Sequence, residues 1–531
     1  MPIREAPPIL VSTGTRETSS IEAPPDTRLA SGTLGVLAAV TLLLHLLAIG
    51  QYGYFRDELY YLASTEHLDW GYVDHPPLSI ALLALVRAVL GDSLPALRIL
   101  SALAGVATVF LTGVIARQLG GSRFAQGIAA LSVLLSPVLL ATTHYYSMNA
   151  FDLLLWTLAG SLILRALDSG RPLHWASLGL IFGIGLLNKI SMLWLGGGFL
   201  IALLLTSHRR VLRTPWPWLA GLLAAVMFAP HVLWQIQHGW PTLEFMTNAA
   251  ARKMEPIAPL EFLLDQVLSM NPGNAPVWIA GIAFGLFVRA GRRGRVLVWI
   301  YLSVLTLLLA SGRTRASYLA VAYPMLLALG AVGLERLTAA AARRWLRRAL
   351  AILIVVMGLV SLPFALPVLP VESFVRYQSA LGLAPGTDER HEMGVLPQHY
   401  ADMFGWPEMT ELVARAYWRL SPEERQRCRV FGQNYGEAGA IDVLGRRLRL
   451  PPAVSGHNSY WLWGPGQGEI DVLIIIGGDR EDNARFFERI EIVGQTNSRW
   501  SMPYERGLDV SIARRPRMSL GRAWPMLKLY I

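Results

Sequence analysis

The chain holds a single cysteine, Cys428, among 531 residues, which excludes an intrachain disulfide framework and a thiolate metal cluster. Lysine is almost missing. Lys189, Lys253 and Lys528 are the only three of 47 basic residues, the rest being arginine, a bias we read as genomic. Charge is scarce altogether: Asp, Glu, Lys and Arg make up 16% of the chain, against roughly 25% in soluble domains. That balance argues against water as the only solvent. Residues 1–30 are polar and proline-containing, without an early apolar stretch, so they do not read as a cleavable signal peptide. The first apolar block is therefore expected to stay as an anchor. A convincing internal repeat is also missing.

What is abundant is apolar sequence, and it is segregated. Blocks at residues 34–49, 99–115, 128–141, 219–233, 296–310 and 349–362 each approach the roughly 20 residues a helix needs to cross a bilayer. A soluble core does not use so many such blocks in series. The formal charge of +10 would suit nucleic acid, but the basic residues lie in short loops between apolar blocks. That is the pattern of membrane topology rather than of a DNA-binding face, and no nucleic-acid partner is expected.

Arginines cluster at Arg117/Arg123, Arg165/Arg171, Arg209/Arg210/Arg213, Arg289/Arg292/Arg293/Arg295 and Arg336/Arg343/Arg344/Arg347/Arg348. The positive-inside rule puts these loops in the cytoplasm. Residues 77–90 are apolar but short for a span. Counting them as one would turn every later arginine cluster outward, so they are expected to form an interfacial helix in the first outer loop. The result is an all-α polytopic domain of about eleven transmembrane helices. Its expected limits are a disordered cytoplasmic tail at 1–32, the transmembrane catalytic domain at 33–370, and an extracytoplasmic domain at 371–531. That last part is less apolar. Residues 429–433 and 471–477 read as strands, and 422–427 and 438–444 as helices, which suggests a small α/β fold.

With this topology, ionisable residues gather on the outer face. The first outer loop carries Arg56-Asp57-Glu58, with Tyr60 close behind, and then Asp74-His75-Pro76-Pro77. The next carries His144 to Asn149, with Asp152 opening the following helix. Asn188-Lys189 interrupts an apolar stretch, and Arg313 and Arg315 precede Tyr318, Tyr323 and Pro324. Each has a plain explanation. Asp57 and Glu58 suit a solvated loop, Lys189 a snorkelling side chain, Arg313 and Arg315 juxtamembrane anchors, and His75 a turn cap. His144 and Asn149 suit structural hydrogen bonding, and Asp152 a helix dipole. Convergence shifts the balance. Charges near a membrane interior are costly and are usually paired or functional, and here acids and cations from five segments share one face. An acid–base cleft beside a cationic phosphate site accounts for them together.

The segments YFRDELYYLA, VDHPPL, GLLNKIS and SYLAVAYPMLLALGA, in that order over roughly residues 35–335, resemble the C-type glycosyltransferases. This group includes protein O-mannosyltransferases and the aminoarabinose transferases that modify lipid A. The resemblance implies a polyprenyl-phosphate sugar donor, used on the outer face of the bacterial inner (cytoplasmic) membrane with inversion at the anomeric carbon. By the same resemblance Asp57 matches the catalytic acid of the first loop and is the expected general base. Asp152 matches a supporting carboxylate and Lys189 a phosphate-binding lysine. His75 stands where the aminoarabinose branch has a lysine. Glu58 joins Asp57 and Asp152 as a catalytic candidate. His75, Lys189, Arg313, Arg315, Tyr318, Tyr60 and Asn149 are the substrate-binding candidates. No cofactor is demanded, although Asp57, Asp152, His75 and His144 could ligate a divalent metal. The expected partners are membrane lipids, the lipid-phosphate donor, and a lipid, polysaccharide or protein acceptor. Residues 237–275 are too few for the sugar-binding domain that eukaryotic protein mannosyltransferases insert, which counts against a protein acceptor. A secondary transporter, a ligase using a pyrophosphate-linked oligosaccharide, and a purely scaffolding membrane domain are the competing readings.

Overall fold

A computed structural model describes residues 27–386, 389–390 and 392–531. The expected tail at 1–32 therefore lies mostly outside the described residues. Six helices are long and apolar enough to cross a membrane: Ser31–Ala48, Leu94–Gln118, Met148–Ser169, Trp216–Gln237, Arg289–Ser311 and Ala341–Ala365. Among them run shorter apolar helices, Arg123–Leu134, Pro172–Asn188, Met192–Leu205, Ala275–Phe287 and Tyr323–Leu337. Among the described residues length and composition qualify six spans, or seven if the bent pair Met192–Leu205 and Ser207–Arg213 is one span, fewer than the eleven expected, because the remaining apolar helices are short. The chain is a multi-pass membrane protein.

Burial sorts the helices into centre and rim. Met148–Ser169 has 72% of its apolar window buried, whereas Ser31–Ala48 and Ala341–Ala365 have 22% and 17%. The rim helices expose side chains such as Val36, Leu47, Ile352 and Leu359, which suits contact with lipid tails. Leu78–Leu90 is two-faced, with Ile80 and Leu83 buried and Leu85 and Val89 exposed. Its neighbour in the first loop, helix Arg56–Ser64, is instead buried along most of its length.

The C-terminal part is an α/β domain around a five-stranded sheet. Its strands are β1 (Cys428–Gly432), β2 (Ala453–Val454), β3 (Val472–Ile476), β4 (Phe487–Gln495) and β5 (Asp509–Pro516). Their order is β2-β1-β3-β5-β4. β1 pairs in parallel with β2 and β3, while β5 runs antiparallel to β3 and to β4. From β1 the chain crosses through helix Tyr435–Leu444 to β2 on one side, and later returns to β3 on the other. The carboxyl end of β1 is therefore a topological switch point, the place where open α/β sheets form their crevices. Here that end faces the membrane domain. Helix Tyr435–Leu444 lies against helix Arg56–Ser64, and two glycines permit the close approach. A Cβ on Gly436 would stand 2.5 Å from Arg56 Cγ, and one on Gly439 would stand 2.8 Å from the Leu59 carbonyl carbon.

Candidate active site

The adjacent acids Asp57 and Glu58 have opposite surroundings. Glu58 is third in helix Arg56–Ser64, and its carboxylate reaches back to accept from the Phe55 amide at 2.9 Å, a capping box that sets the helix start. Arg98 grips it with Nε on Oε1 and Nη2 on Oε2, both at 2.8 Å, and the Tyr146 amide adds a bond at 2.8 Å. Arg98 also donates to the carbonyls of Ile49 and Gly53. Both side chains of the pair are fully buried. Glu58, a catalytic candidate from the sequence, has its lone pairs taken and pins the first loop to the ends of three helices.

Asp57 is the open one. Its side chain is 35% exposed. Oδ1 accepts from the Tyr435 hydroxyl at 2.9 Å and stands 3.7 Å from Arg56 Nε. Arg56 in turn donates to the Tyr504 hydroxyl at 2.8 Å, lies 3.7 Å from Asp402 Oδ2, and sits over the Tyr435 ring. Asp74 is close by. Its Oδ1 accepts from Tyr60 at 2.9 Å, and the Tyr60 hydroxyl shares a second hydrogen bond with Ser459 at 2.7 Å. Burial raises the Asp74 carboxyl above its ordinary range, opposed by His75, with Asp57 adding to the rise. His75 itself is enclosed by Tyr60, Tyr61 and Tyr72 and bonds the Pro76 carbonyl through Nδ1 at 3.0 Å. It belongs to an aromatic box under the first loop rather than to an open surface.

The second group of candidates meets at the helix break. Asn188 closes helix Pro172–Asn188 and donates to the Met148 carbonyl at 2.9 Å, which ties the break to the start of helix Met148–Ser169. Lys189 is then extended (φ −156°, ψ 136°). Its ammonium donates to Asn149 Oδ1 at 2.6 Å, lies 3.8 Å from Asp152 Oδ2, and stands 5.6 Å from the centre of the Tyr318 ring. Ser191 holds the same Asp152 oxygen at 2.7 Å. Four expected residues, Asn149, Asp152, Lys189 and Tyr318, are thus brought together from three separate segments.

Arg315 links the two groups. It pairs with Glu389, which also lies 3.4 Å from Lys253 Nζ and accepts from Gln398 at 3.0 Å. Arg315 is near enough to act on Lys189, on Lys253 and on the Tyr145 hydroxyl, and Asp57 acts on the last two. Burial draws the Lys253 ammonium below its ordinary value, against the pull of Glu389. Arg313 does not join them. It is exposed and donates to the Ala250 carbonyl. His144 is buried against His45, away from Asp57. Among the described residues no three His, Cys, Asp or Glu side chains converge to hold a metal, so Asp57, Asp152, His75 and His144 do not form the metal set that was entertained.

Arg98, Lys253, Glu389, Asp402, Tyr435 and Tyr504 escaped the sequence reading as site residues. Arg98 left a signal, being a charge at the edge of an apolar run. The others approach only through the folding of distant segments.

An apolar helix bundle carrying these two clusters, with an α/β domain packed on the helix that bears Asp57, has the fold of the C-type glycosyltransferases. Residues 74–234 match the family described as dolichyl-phosphate-mannose-protein mannosyltransferase. No curated protein matches the chain in sequence. Among solved structures, ArnT from Cupriavidus metallidurans in the apo state is 15% identical over 91% of this chain and 98% of its own, with a TM-score of 0.59. The same protein bound to undecaprenyl phosphate gives 16% identity over the same shares and the same TM-score. At these identities the likeness establishes the fold.

Proposed function

We propose that this protein is an inverting glycosyltransferase that moves a sugar from a polyprenyl-phosphate carrier to an acceptor hydroxyl. It works on the extracytoplasmic side of the bacterial inner membrane, with residues 33–370 as the catalytic membrane domain and 371–531 outside. In the reaction, Asp57 takes the proton of the acceptor hydroxyl as its oxygen bonds the anomeric carbon. The bond from that carbon to the phosphate oxygen breaks with its electron pair, and polyprenyl phosphate leaves as an anion. A positioned base of this kind is worth roughly 10²–10⁴ in rate. The leaving phosphate needs cations rather than an acid. Lys189 is a compact point charge for it and Arg315 a planar fork, while Asn149, Asp152 and Tyr318 fix the lysine. The acceptor hydroxyl belongs to a lipid, a polysaccharide or a protein.

The observation that carries this reading is the Lys189 cluster. A cation is held by Asn149 and Asp152 at a break between apolar helices, and Arg315 acts on it from the side of Tyr145 and Lys253, on which Asp57 acts too. The ArnT relative of the same fold is known with undecaprenyl phosphate bound, which supports a carrier of that chemistry. The test is incubation of the purified protein with a panel of undecaprenyl-phosphate sugars and a membrane acceptor extract. Sugar transfer from one of them, lost on Asp57→Asn, is expected. Solute movement across vesicles without any transfer would overturn the proposal in favour of a transporter. Use of pyrophosphate-linked donors alone would make the protein a ligase.

A further inference from the structure

The hydrogen bond on Asp57 comes from the other domain. Tyr435 lies 378 residues away in sequence, yet its hydroxyl is 2.9 Å from Asp57 Oδ1. The ring has little freedom. Arg56 covers it at 5.5 Å and Tyr60 packs at 4.8 Å, while its backbone amide donates to His457 Nδ1 at 3.3 Å. The turn that delivers it is equally fixed. Asn434 caps helix Tyr435–Leu444 by accepting from the Gly436 and Glu437 amides, and buried Glu437 accepts from the Gln433 amide and the Asn434 side chain. The contacts at Gly436 and Gly439 seat that helix on the one that bears Asp57. Burial raises the Tyr435 phenol well above its ordinary value, so it stays a donor. Asp57 Oδ2 has no hydrogen-bond partner among the described residues.

We infer that the C-terminal domain completes the active site, with Tyr435 as a positioning residue that fixes the Asp57 carboxylate through Oδ1 and leaves Oδ2 to meet the acceptor. This rests on Asp57 being the base. A rotating carboxylate would present the wrong lone pair for part of the time, and misplacement of a reacting group by about 1 Å can cost about a hundredfold. The other charged or titratable groups around Asp57 are Arg56 and Tyr61 on its own helix, Asp74 and Tyr145 from the loops, Lys253, and Asp402.

The experiment compares wild type, Tyr435→Phe and Asp57→Asn as full chains in phospholipid vesicles, with the undecaprenyl-phosphate sugar that is turned over as donor. Tyr435→Phe is expected to lower kcat about tenfold to a hundredfold with donor KM within about twofold. The melting temperature should stay nearly unchanged. Wild-type kcat in Tyr435→Phe, beside an inactive Asp57→Asn, would overturn the positioning role and leave the base standing. An active Asp57→Asn would overturn both. Should Tyr435→Phe lose its cooperative melt, Gly439→Ala carries the test, because a methyl there lifts the helix from Leu59. A lowered kcat with donor KM within about twofold supports the inference, and lowered stability with wild-type kcat overturns it.

Discussion

The two walls of the proposed active site are built in different ways. The wall around Lys189 is short-range in design. Asn149 and Asp152 are three apart at one helix start, Lys189 sits at one helix break, and side-chain bonds from Asn188, Lys189 and Ser191 join the two. The wall around Asp57 is long-range. Tyr435, Tyr504 and Asp402 come from the C-terminal part, and buried Arg98 holds Glu58 behind. The first wall is a cation held by neutral and acidic partners, suited to receive an anion. The second is an acid held on one oxygen, suited to take a proton. A membrane helix bundle can supply the first from its own helix ends. The second requires a soluble domain to dock.

That contrast can be broken from its strongest point downward. Asp57→Asn should remove at least about 10³-fold of kcat while donor binding persists, measured by transfer assay and carrier binding. Activity within tenfold of wild type would take the acid out of the chemistry. Arg98→Ala leaves Glu58 buried without its partner, which should cost about 3–5 kcal/mol, read from thermal or denaturant unfolding in detergent. A loss under 1 kcal/mol would mean that the pair is not what pins the loop. Lys189→Ala should raise donor KM roughly tenfold to a hundredfold, the worth of one charge-assisted phosphate contact, with a smaller change in kcat. An unchanged KM would move the phosphate site elsewhere.

The smaller effects belong to the edges of the two walls. In the C-terminal domain burial pushes Asp442 up to about 6, although Tyr460 and the Ala453 amide donate to it. A carboxyl raised in the fold stabilises most when protonated, so its contribution is full below the unfolded value and fades as pH rises through about 6. From pH 7 down to pH 4 the domain should therefore gain roughly 2 kcal/mol from this group, and Asp442→Asn should flatten that part of the unfolding curve. Arg313→Ala, on an exposed side chain bonded to the Ala250 carbonyl, should change turnover by less than about twofold.

The membrane wall was legible because its chemistry interrupts its own background. A lysine and an asparagine inside an apolar stretch, or an aspartate at the start of one, stand out whatever they touch. The apolar helical character of the membrane part was readable for the same reason, as was the strand Val472–Ile476 in its run of branched residues. The docked wall was not. Tyr435 is one of 17 tyrosines in a segment of ordinary composition, and nothing local marks it as the partner of a residue 378 positions earlier. Glu58 is a related case. Its neighbour Asp57 is partly exposed, but a helix turns successive side chains by about 100°, so adjacency in the motif separates the two acids in space. Arg98 was visible as a charge beside an apolar run, and following its need for a counter-ion would have found Glu58.

The central claim is that an acid from the first loop and a cation from the Lys189 break address the two ends of one bond. It is tested most directly by a structure of the Asp57→Asn protein with an intact undecaprenyl-phosphate sugar. The account predicts the phosphate within hydrogen-bond reach of Lys189, with the anomeric carbon turned toward residue 57. A phosphate bound away from Lys189, or a sugar turned from residue 57 with room for no acceptor between them, would contradict it.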